Sequence, residues 1–86
     1  MDDLTALPNI GPVLAVKLRE SGITSYDDLA KLGSVGAMLR IARGSKVVRY
    51  NMLYALEGAI RGVRWHSISN DERAKLREAF DQAQAR

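Results

Sequence analysis

Apolar residues recur along this chain three, four and seven positions apart, the spacing that places them on one face of a helix. The set Val35, Met38, Leu39 and Ala42 follows this spacing in full. Such segments are short and are separated by glycine, proline or serine. They predict helices over residues 12–21, 25–32, 34–43, 50–62 and 70–83. The pattern therefore indicates an all-α fold, a small single-domain bundle of four to six helices without a clear strand.

Helix-breaking residues mark where these segments end. Pro8 disfavours helix at Leu7, so the first short apolar segment should stop there. Gly22 followed by Ile23 is typical of a Schellman end, in which the apolar residue folds back on the helix it leaves. Gly33 interrupts the pattern again. The bundle is therefore predicted to contain short helices joined by tight turns.

Polar side chains at these breaks predict the helix starts. Ser34 can cap the segment that follows Gly33, and Ser69 with Glu72 three residues later forms a capping box that opens the last helix. Beyond the interruption at Gly44, residues 46–49 are compatible with a loop or with the start of the next helix.

Two adjacent carboxylates, Asp27 and Asp28, invite comparison with a metal or acid-base site. Neighbouring residues on a helix point away from each other, so they are poorly placed to act together. Thr24 or Ser25 can start a helix, with Asp27 or Asp28 three residues further on to close a capping box. We therefore interpret these carboxylates as capping and first-turn residues.

Residues 50–62 form the most apolar segment, and we predict that it is the central helix. It contains Gly58 and Gly62, and because each glycine inside a helix costs about 1 kcal/mol of helix propensity, these residues indicate close packing against neighbours. We expect its apolar face to consist of Met52, Leu56, Ala59, Ile60 and Val63. Arg61 and Arg64 follow near its end, where cations interact favourably with the helix dipole.

The turn within residues 7–15 carries the strongest functional signal. We expect Gly11 to adopt backbone angles closed to other residues, and Pro12 suits the first position of the new helix. The backbone amides gathered there would face outward. Amides at a helix N-terminus bind anions, and DNA phosphate is the obvious anion for a basic protein.

Length and composition limit the class of protein. Eighty-six residues form one domain, 1–86, and 47% hydrophobic with 27% charged residues is typical of a soluble globular protein. The sequence has no cysteine, no signal-peptide pattern and no apolar run of membrane-spanning length. These features predict a protein of the cytoplasm that does not associate with a membrane and has neither disulfides nor thiolate metal sites.

Positive charge is concentrated in the middle of the chain. The net charge is +3, and between residues 31 and 64 seven lysines and arginines face a single glutamate. The first 30 residues are acidic overall, with five carboxylates against two basic residues. A basic block attracts a polyanion, but scattered surface cations are equally ordinary in soluble proteins. Charge alone leaves both interpretations open.

Residues suited to catalysis are scarce. His66 is the only histidine, and no cysteine or convincing carboxylate accompanies it in the local sequence, so a metal or catalytic role is disfavoured. Trp65 beside it should pack at the edge of the core. No nucleophile-base pair or nucleotide-binding signature is present. We predict that the protein is not an enzyme and uses neither a cofactor nor a metal.

The turn Leu7-Pro8-Asn9-Ile10-Gly11, with Ala15 and Leu18 after it, resembles the helix-hairpin-helix motif of DNA repair and recombination proteins. Glycine is usual in that motif at the position of Asn9, and asparagine is the next most tolerant residue for a left-handed backbone. Further matches extend over nearly the whole chain, at Gly22-Ile23-Thr24, Leu29, Gly33, the run from Asn51 to Ile60, and from Gly62 to Trp65. Together they resemble the C-terminal domain of the TfoX (Sxy) competence regulators.

This resemblance implies an all-helical, SAM-like fold with a helix-hairpin-helix-like element near the N-terminus. It also implies a bacterial protein linked to the regulation of DNA-uptake genes, without enzymatic activity. Regulators of the family usually carry a separate N-terminal domain, whereas this sequence starts at the C-terminal-like part. We therefore expect a stand-alone copy of that domain.

Two functions follow as hypotheses. In the first, the hairpin amides and nearby cations bind DNA phosphate weakly and without sequence specificity. The residues assigned to this DNA site are Asn9, Ile10, Gly11, Val13, Lys17, Arg40, Arg43 and Lys46. In the second, the domain makes no direct DNA contact and docks on a transcription regulator, on RNA polymerase or on a second copy of itself as a homodimer.

Overall fold

Four α-helices and two single turns of 3-10 helix form the described part of the chain, residues 4–44 and 50–85 of a computed structural model. The helices are α1 (Pro12–Glu20), α2 (Tyr26–Gly44), α3 (Tyr50–Arg61) and α4 (Asn70–Gln84), and the 3-10 turns are Leu4–Ala6 and Trp65–Ser67. These residues contain no strand, so the prediction of an all-α fold is confirmed. The ambiguous segment 46–49 lies outside the described residues.

Helix α2 consists of two helical segments joined at Gly33. The φ of 77° and ψ of 168° at this glycine are not helical, which confirms the predicted break. The predicted cap at Ser34 is wrong. The Ser34 side chain is buried, and its hydroxyl donates a hydrogen bond to Glu57 Oε1 on α3 at 2.7 Å. A long-range partner thus replaces the local one that the sequence suggested.

The end of α1 has the predicted Schellman geometry. The Ile23 amide donates to the Leu18 carbonyl at 2.9 Å, and the Gly22 amide donates to the Arg19 carbonyl at 3.0 Å. Gly22 has a φ of 83°, which is the left-handed conformation that this ending requires. Ile23 is fully buried. The reversal between α1 and α2 is therefore fixed by local sequence.

Side-chain caps open α2 and α4 as predicted. Ser25 Oγ accepts from the Asp28 amide at 3.1 Å, and Asp28 Oδ2 accepts from the Thr24 amide at 3.2 Å. The hydrogen bond from the Thr24 backbone lowers the pKa of Asp28. Ser69 Oγ accepts from the Glu72 amide at 3.2 Å. The carboxylate of Asp28 thus has a capping role.

Helix α3 lies at the centre and packs against α2, α4 and the 3-10 turn Trp65–Ser67. The largest side chains that are completely buried are Leu18, Ile23, Leu29, Met38, Leu53, Leu56 and Phe80. The expected place of Val63 on the apolar face is wrong, because this residue is 38% exposed. Gly62 takes a φ of 75° directly after α3, and the chain therefore leaves the helical face before Val63. No helix in the described residues is long and apolar enough to cross a membrane.

Ion pairs connect α3 to its neighbours. Glu57 receives the Ser34 hydroxyl from α2 on one oxygen and the Arg61 guanidinium on the other, at 2.7 and 2.6 Å. Arg61 also pairs with Glu72 on α4. Hydrogen bonds to Glu72 and then Glu57 raise the pKa of Arg61. Arg61 was predicted near the helix end from the dipole. It also belongs to a network of polar contacts that joins α2, α3 and α4.

Candidate nucleic-acid interface

The turn before α1 is anchored by two buried residues, Leu4 and Ile10. The Leu7 amide donates to the Leu4 carbonyl at 3.1 Å, and the Ile10 amide donates to the Leu7 carbonyl at 3.4 Å. Asn9, between these bonds, has a φ of 69°, the left-handed conformation that glycine usually takes in the related motif. The tolerance of asparagine for this conformation is confirmed.

Gly11 does not have the special backbone that the sequence suggested. Its φ of −92° and ψ of −179° are extended and open to any residue, so that expectation is wrong. A Cβ atom built on Gly11 would have no atom within 4 Å. Neither conformation nor packing requires a glycine here. Because residue 11 has no side chain, its backbone is exposed and a ligand can approach it closely.

The start of α1 has no side-chain cap. Pro12 lacks an amide hydrogen, and within the described residues the amides of Gly11, Val13 and Leu14 have no hydrogen-bond acceptor. This contrasts with α4, where Ser69 supplies the acceptor. The uncapped amides and the positive end of the helix dipole together favour an anion at this position.

The Asn9 side chain holds the turn against the connection between α3 and α4. Its Nδ2 donates to the Val63 carbonyl at 2.9 Å and to the Ala55 carbonyl at 3.4 Å. Its Oδ1 accepts from the Trp65 amide at 3.1 Å. Because these bonds use both ends of the amide group, Asn9 positions the turn, while its side chain is occupied within the protein.

Gly58 makes room for this contact. A Cβ atom on Gly58 would lie 2.4 Å from Asn9 Nδ2 and 2.7 Å from the Val63 carbonyl oxygen. Real Cβ atoms do not approach other atoms this closely. The small residue in the central helix therefore serves the close packing that its cost in helix propensity indicated.

Arg64 joins the turn through this connection. An open cleft of about 560 Å³ is lined by Arg64, Gly62 and residues 5–11. Arg64 is exposed and follows the end of α3. In the sequence Arg64 is recognisable only as a cation near a helix end, because no local pattern relates residue 64 to a turn more than fifty positions earlier. The structure thus adds a cation to the candidate phosphate site.

Of the cations assigned to the DNA site, Arg40 and Arg43 lie away from the turn, whereas Lys17 lies on α1. Lys17 is half-buried on α1 and borders a shallow groove with Pro12. The Arg40 guanidinium lies near Gly22, at the opposite end of α1, which at nine residues is about 13 Å long. Arg43 borders a groove with the end of α4. Lys46 lies outside the described residues. Among the described cations assigned to the DNA site, only Lys17 thus lies on the helix that starts at the turn.

Trp65 and His66, which follow Arg64 in the connection between α3 and α4, form an aromatic stack with Tyr54. The Trp65 ring lies 6.3 Å from the buried Tyr54 ring at an interplanar angle of 21°, and 4.1 Å from the His66 ring at 30°. The Arg73 guanidinium carbon lies 5.1 Å from the centre of the Trp65 ring. Trp65 is half-buried against the core, as predicted, and His66 is exposed.

Comparisons with known proteins agree with the resemblance seen in the sequence. The sequence model described as the TfoX C-terminal domain matches residues 1–80. A crystal structure of an uncharacterised protein from Listeria monocytogenes is 38% identical, with a TM-score of 0.86 over 94% of this chain and 92% of that one. A second crystal structure, of a Listeria monocytogenes protein of unknown function, is 40% identical, with a TM-score of 0.85 over 93% and 98%. No curated protein matches the sequence.

Proposed function

Because this chain belongs to the TfoX C-terminal domain family, we propose that it is a non-enzymatic regulatory module of the bacterial cytoplasm that holds DNA phosphate at the start of α1. The observation that carries this proposal is Gly11, a glycine that neither its backbone angles nor its surroundings require. A phosphate approaching the uncapped amides would need the space that a side chain would fill. The membership itself supports a regulatory domain related to competence.

Arg64 completes the chemistry of the site. Amides supply directional hydrogen bonds to a phosphate oxygen, and an exposed guanidinium across the same cleft supplies charge. Lys17, about one turn into α1, adds a second cation on the same helix. Contacts of this kind fix a protein on the DNA backbone but carry no sequence information. With about two or three phosphates engaged, affinity would be weak and would fall as salt rises.

Gly11→Asp is the sharpest test of this site. The extended backbone of residue 11 suits an aspartate cap, so the new carboxylate would accept from the first-turn amides and repel phosphate. We expect affinity for a short DNA duplex at low salt to fall at least about tenfold. We expect the free energy of unfolding to be unchanged or to rise, by about 1 kcal/mol at most. Fluorescence anisotropy and urea unfolding measure the two effects.

Two arginine variants make a matched control. Arg64→Ala should weaken binding and reduce the slope of log affinity against log salt by about 0.9. Arg40→Ala removes the same charge at the far end of α1 and should leave binding at the turn unchanged. Absence of binding at low salt would contradict the proposal, as would wild-type affinity in Gly11→Asp.

A second function, as a protein-binding module, is favoured by exposed apolar residues on α1. Val13 is 71% exposed and Val16 is 48% exposed, and they lie three positions apart on one face of the helix. Lys17 and Glu20 border the same groove. In this alternative α1 docks on a second copy of the chain, or on a transcription regulator or RNA polymerase, and the valines form the centre of the contact.

Light scattering coupled to size-exclusion chromatography tests the homodimer. If α1 pairs with a second copy, the mass at high concentration is twice that of one chain. The double substitution Val13→Ser and Val16→Ser then returns it to the monomer mass, because it removes the apolar contact area. A monomer at all concentrations would contradict self-association. A dimer unaffected by the two serines would exclude α1 as its interface.

A further inference from the structure

The aromatic stack of Tyr54, Trp65 and His66 ends in the exposed ring of His66, which lies against the Trp65 ring. Tyr54 is 8% exposed, Trp65 is half-buried, and His66 is exposed, so the stack runs outward from the core. Within the described residues, the His66 ring nitrogens have no hydrogen-bond partner. The closest described ring is that of Trp65, whose centroid lies 4.1 Å from that of His66 at an interplanar angle of 30°.

Arg73 from α4 fixes the backbone that carries these rings. Its Nε donates to the Ile68 carbonyl at 2.9 Å, and its Nη2 donates to the His66 carbonyl at 3.2 Å. The guanidinium also lies over the Trp65 ring. A flat, exposed and supported imidazole is the kind of surface on which an unpaired nucleobase stacks.

The platform is tied to the proposed phosphate site. The Trp65 amide donates to Asn9 Oδ1 in the turn, and the preceding residue, Arg64, lines the cleft beside that turn. A nucleic-acid strand whose phosphate occupies the cleft would thus pass a stacking surface on the same short connection. In a duplex the faces of the bases are already covered by their neighbours, so only an unpaired base can use this surface.

We propose that the ligand is single-stranded DNA, with one unpaired base stacked on His66 above Trp65. This inference rests on the proposed function, since the phosphate site positions the strand. Stacking gives the site a preference for unpaired bases. The amides and cations cannot supply this preference, because they contact only the backbone of the nucleic acid. Stacking of one base accounts for a gain in affinity of about tenfold.

Strands with and without bases separate stacking from phosphate binding. The ligands are an oligothymidylate of about twelve nucleotides, an abasic strand of equal length, and a duplex of equal length. We expect the oligothymidylate to bind about tenfold tighter than the other two. Because Trp65 is the only tryptophan in the chain, oligothymidylate should also quench the intrinsic tryptophan fluorescence, whereas the abasic strand should not.

Variants of the exposed ring supply the controls. His66→Ala should lose the advantage of the oligothymidylate and leave abasic-strand binding unchanged, whereas His66→Phe should keep the advantage. Arg64→Ala should weaken both strands equally. Circular dichroism checks that each variant is folded.

The outcomes distinguish this inference from the function on which it rests. Equal affinity for all three ligands, unchanged in His66→Ala, overturns the stacking site and leaves phosphate binding intact. No binding of any ligand overturns both. An oligouridylate that binds more tightly than the oligothymidylate overturns the assignment to DNA and points to RNA.

Discussion

Gly58→Ala is expected to lower the free energy of unfolding by about 3 kcal/mol. The new methyl group would lie 2.4 Å from Asn9 Nδ2 and 2.7 Å from the Val63 carbonyl oxygen. One of these atoms belongs to the backbone, so the connection between α3 and α4 must move away from the turn. That movement also breaks the hydrogen bonds of Asn9. Urea unfolding followed by far-UV circular dichroism measures the loss.

Gly36→Ala is the matched control. Gly36 is also a helical glycine, but its added Cβ atom would lie 3.5 Å from a Leu32 side-chain atom, an ordinary van der Waals contact. This variant should gain about 0.5 to 1 kcal/mol from improved helix propensity. If both variants change stability in the same direction and by similar amounts, the close approach at Gly58 does not constrain the fold.

Asn9→Ala is expected to cost about 3 kcal/mol for a different reason. Alanine disfavours the φ of 69° that residue 9 adopts, and its side chain cannot replace the bonds to the Val63 carbonyl and the Trp65 amide. Asn9→Gly keeps the left-handed backbone and should lose only the part of the stability that the hydrogen bonds of the Asn9 side chain contribute. The difference between the two variants in urea unfolding gives the cost of the backbone conformation.

A double-mutant cycle connects these two predictions. In the Asn9→Gly background, Gly58→Ala no longer meets the Asn9 side chain, and its cost should fall by about 1 kcal/mol or more. The contact with the Val63 carbonyl remains, so the cost should not disappear. Strict additivity would contradict the direct contact between residues 9 and 58.

These predictions place Asn9 in the architecture of the turn. The related motif usually has glycine at this position, which satisfies the backbone conformation alone. Asparagine satisfies the same conformation and also links the turn to residues 55, 63 and 65. The proposed phosphate site therefore depends on Asn9 for its position and on Gly11, Val13 and Arg64 for its chemistry.

Local signals in the sequence determined most of the secondary structure. The break at Gly33, the Schellman end at Gly22 and the cap at Ser69 depend on backbone angles and hydrogen bonds within about five residues, so a short window contains all the information. The prediction for Ser34 was wrong because its partner lies outside such a window, whereas the prediction for Val63 overlooked a local turn. Ser34 found a partner on α3, and the turn at Gly62 carried Val63 off the helical face.

The sequence by itself thus determined an all-α domain, its turns and a hairpin with uncapped amides at the start of α1. Only the tertiary structure decided which cation accompanies those amides, since it places Arg64 in the cleft and Arg40 at the far end of α1. It also decided that the Asn9 side chain forms hydrogen bonds within the protein, that the Trp65 amide is joined to the turn, and that the His66 ring lies against the Trp65 ring. The physical reason is separation along the chain: Arg64 and Trp65 lie more than fifty positions after the turn that they meet, and they are brought to it only when the helices pack.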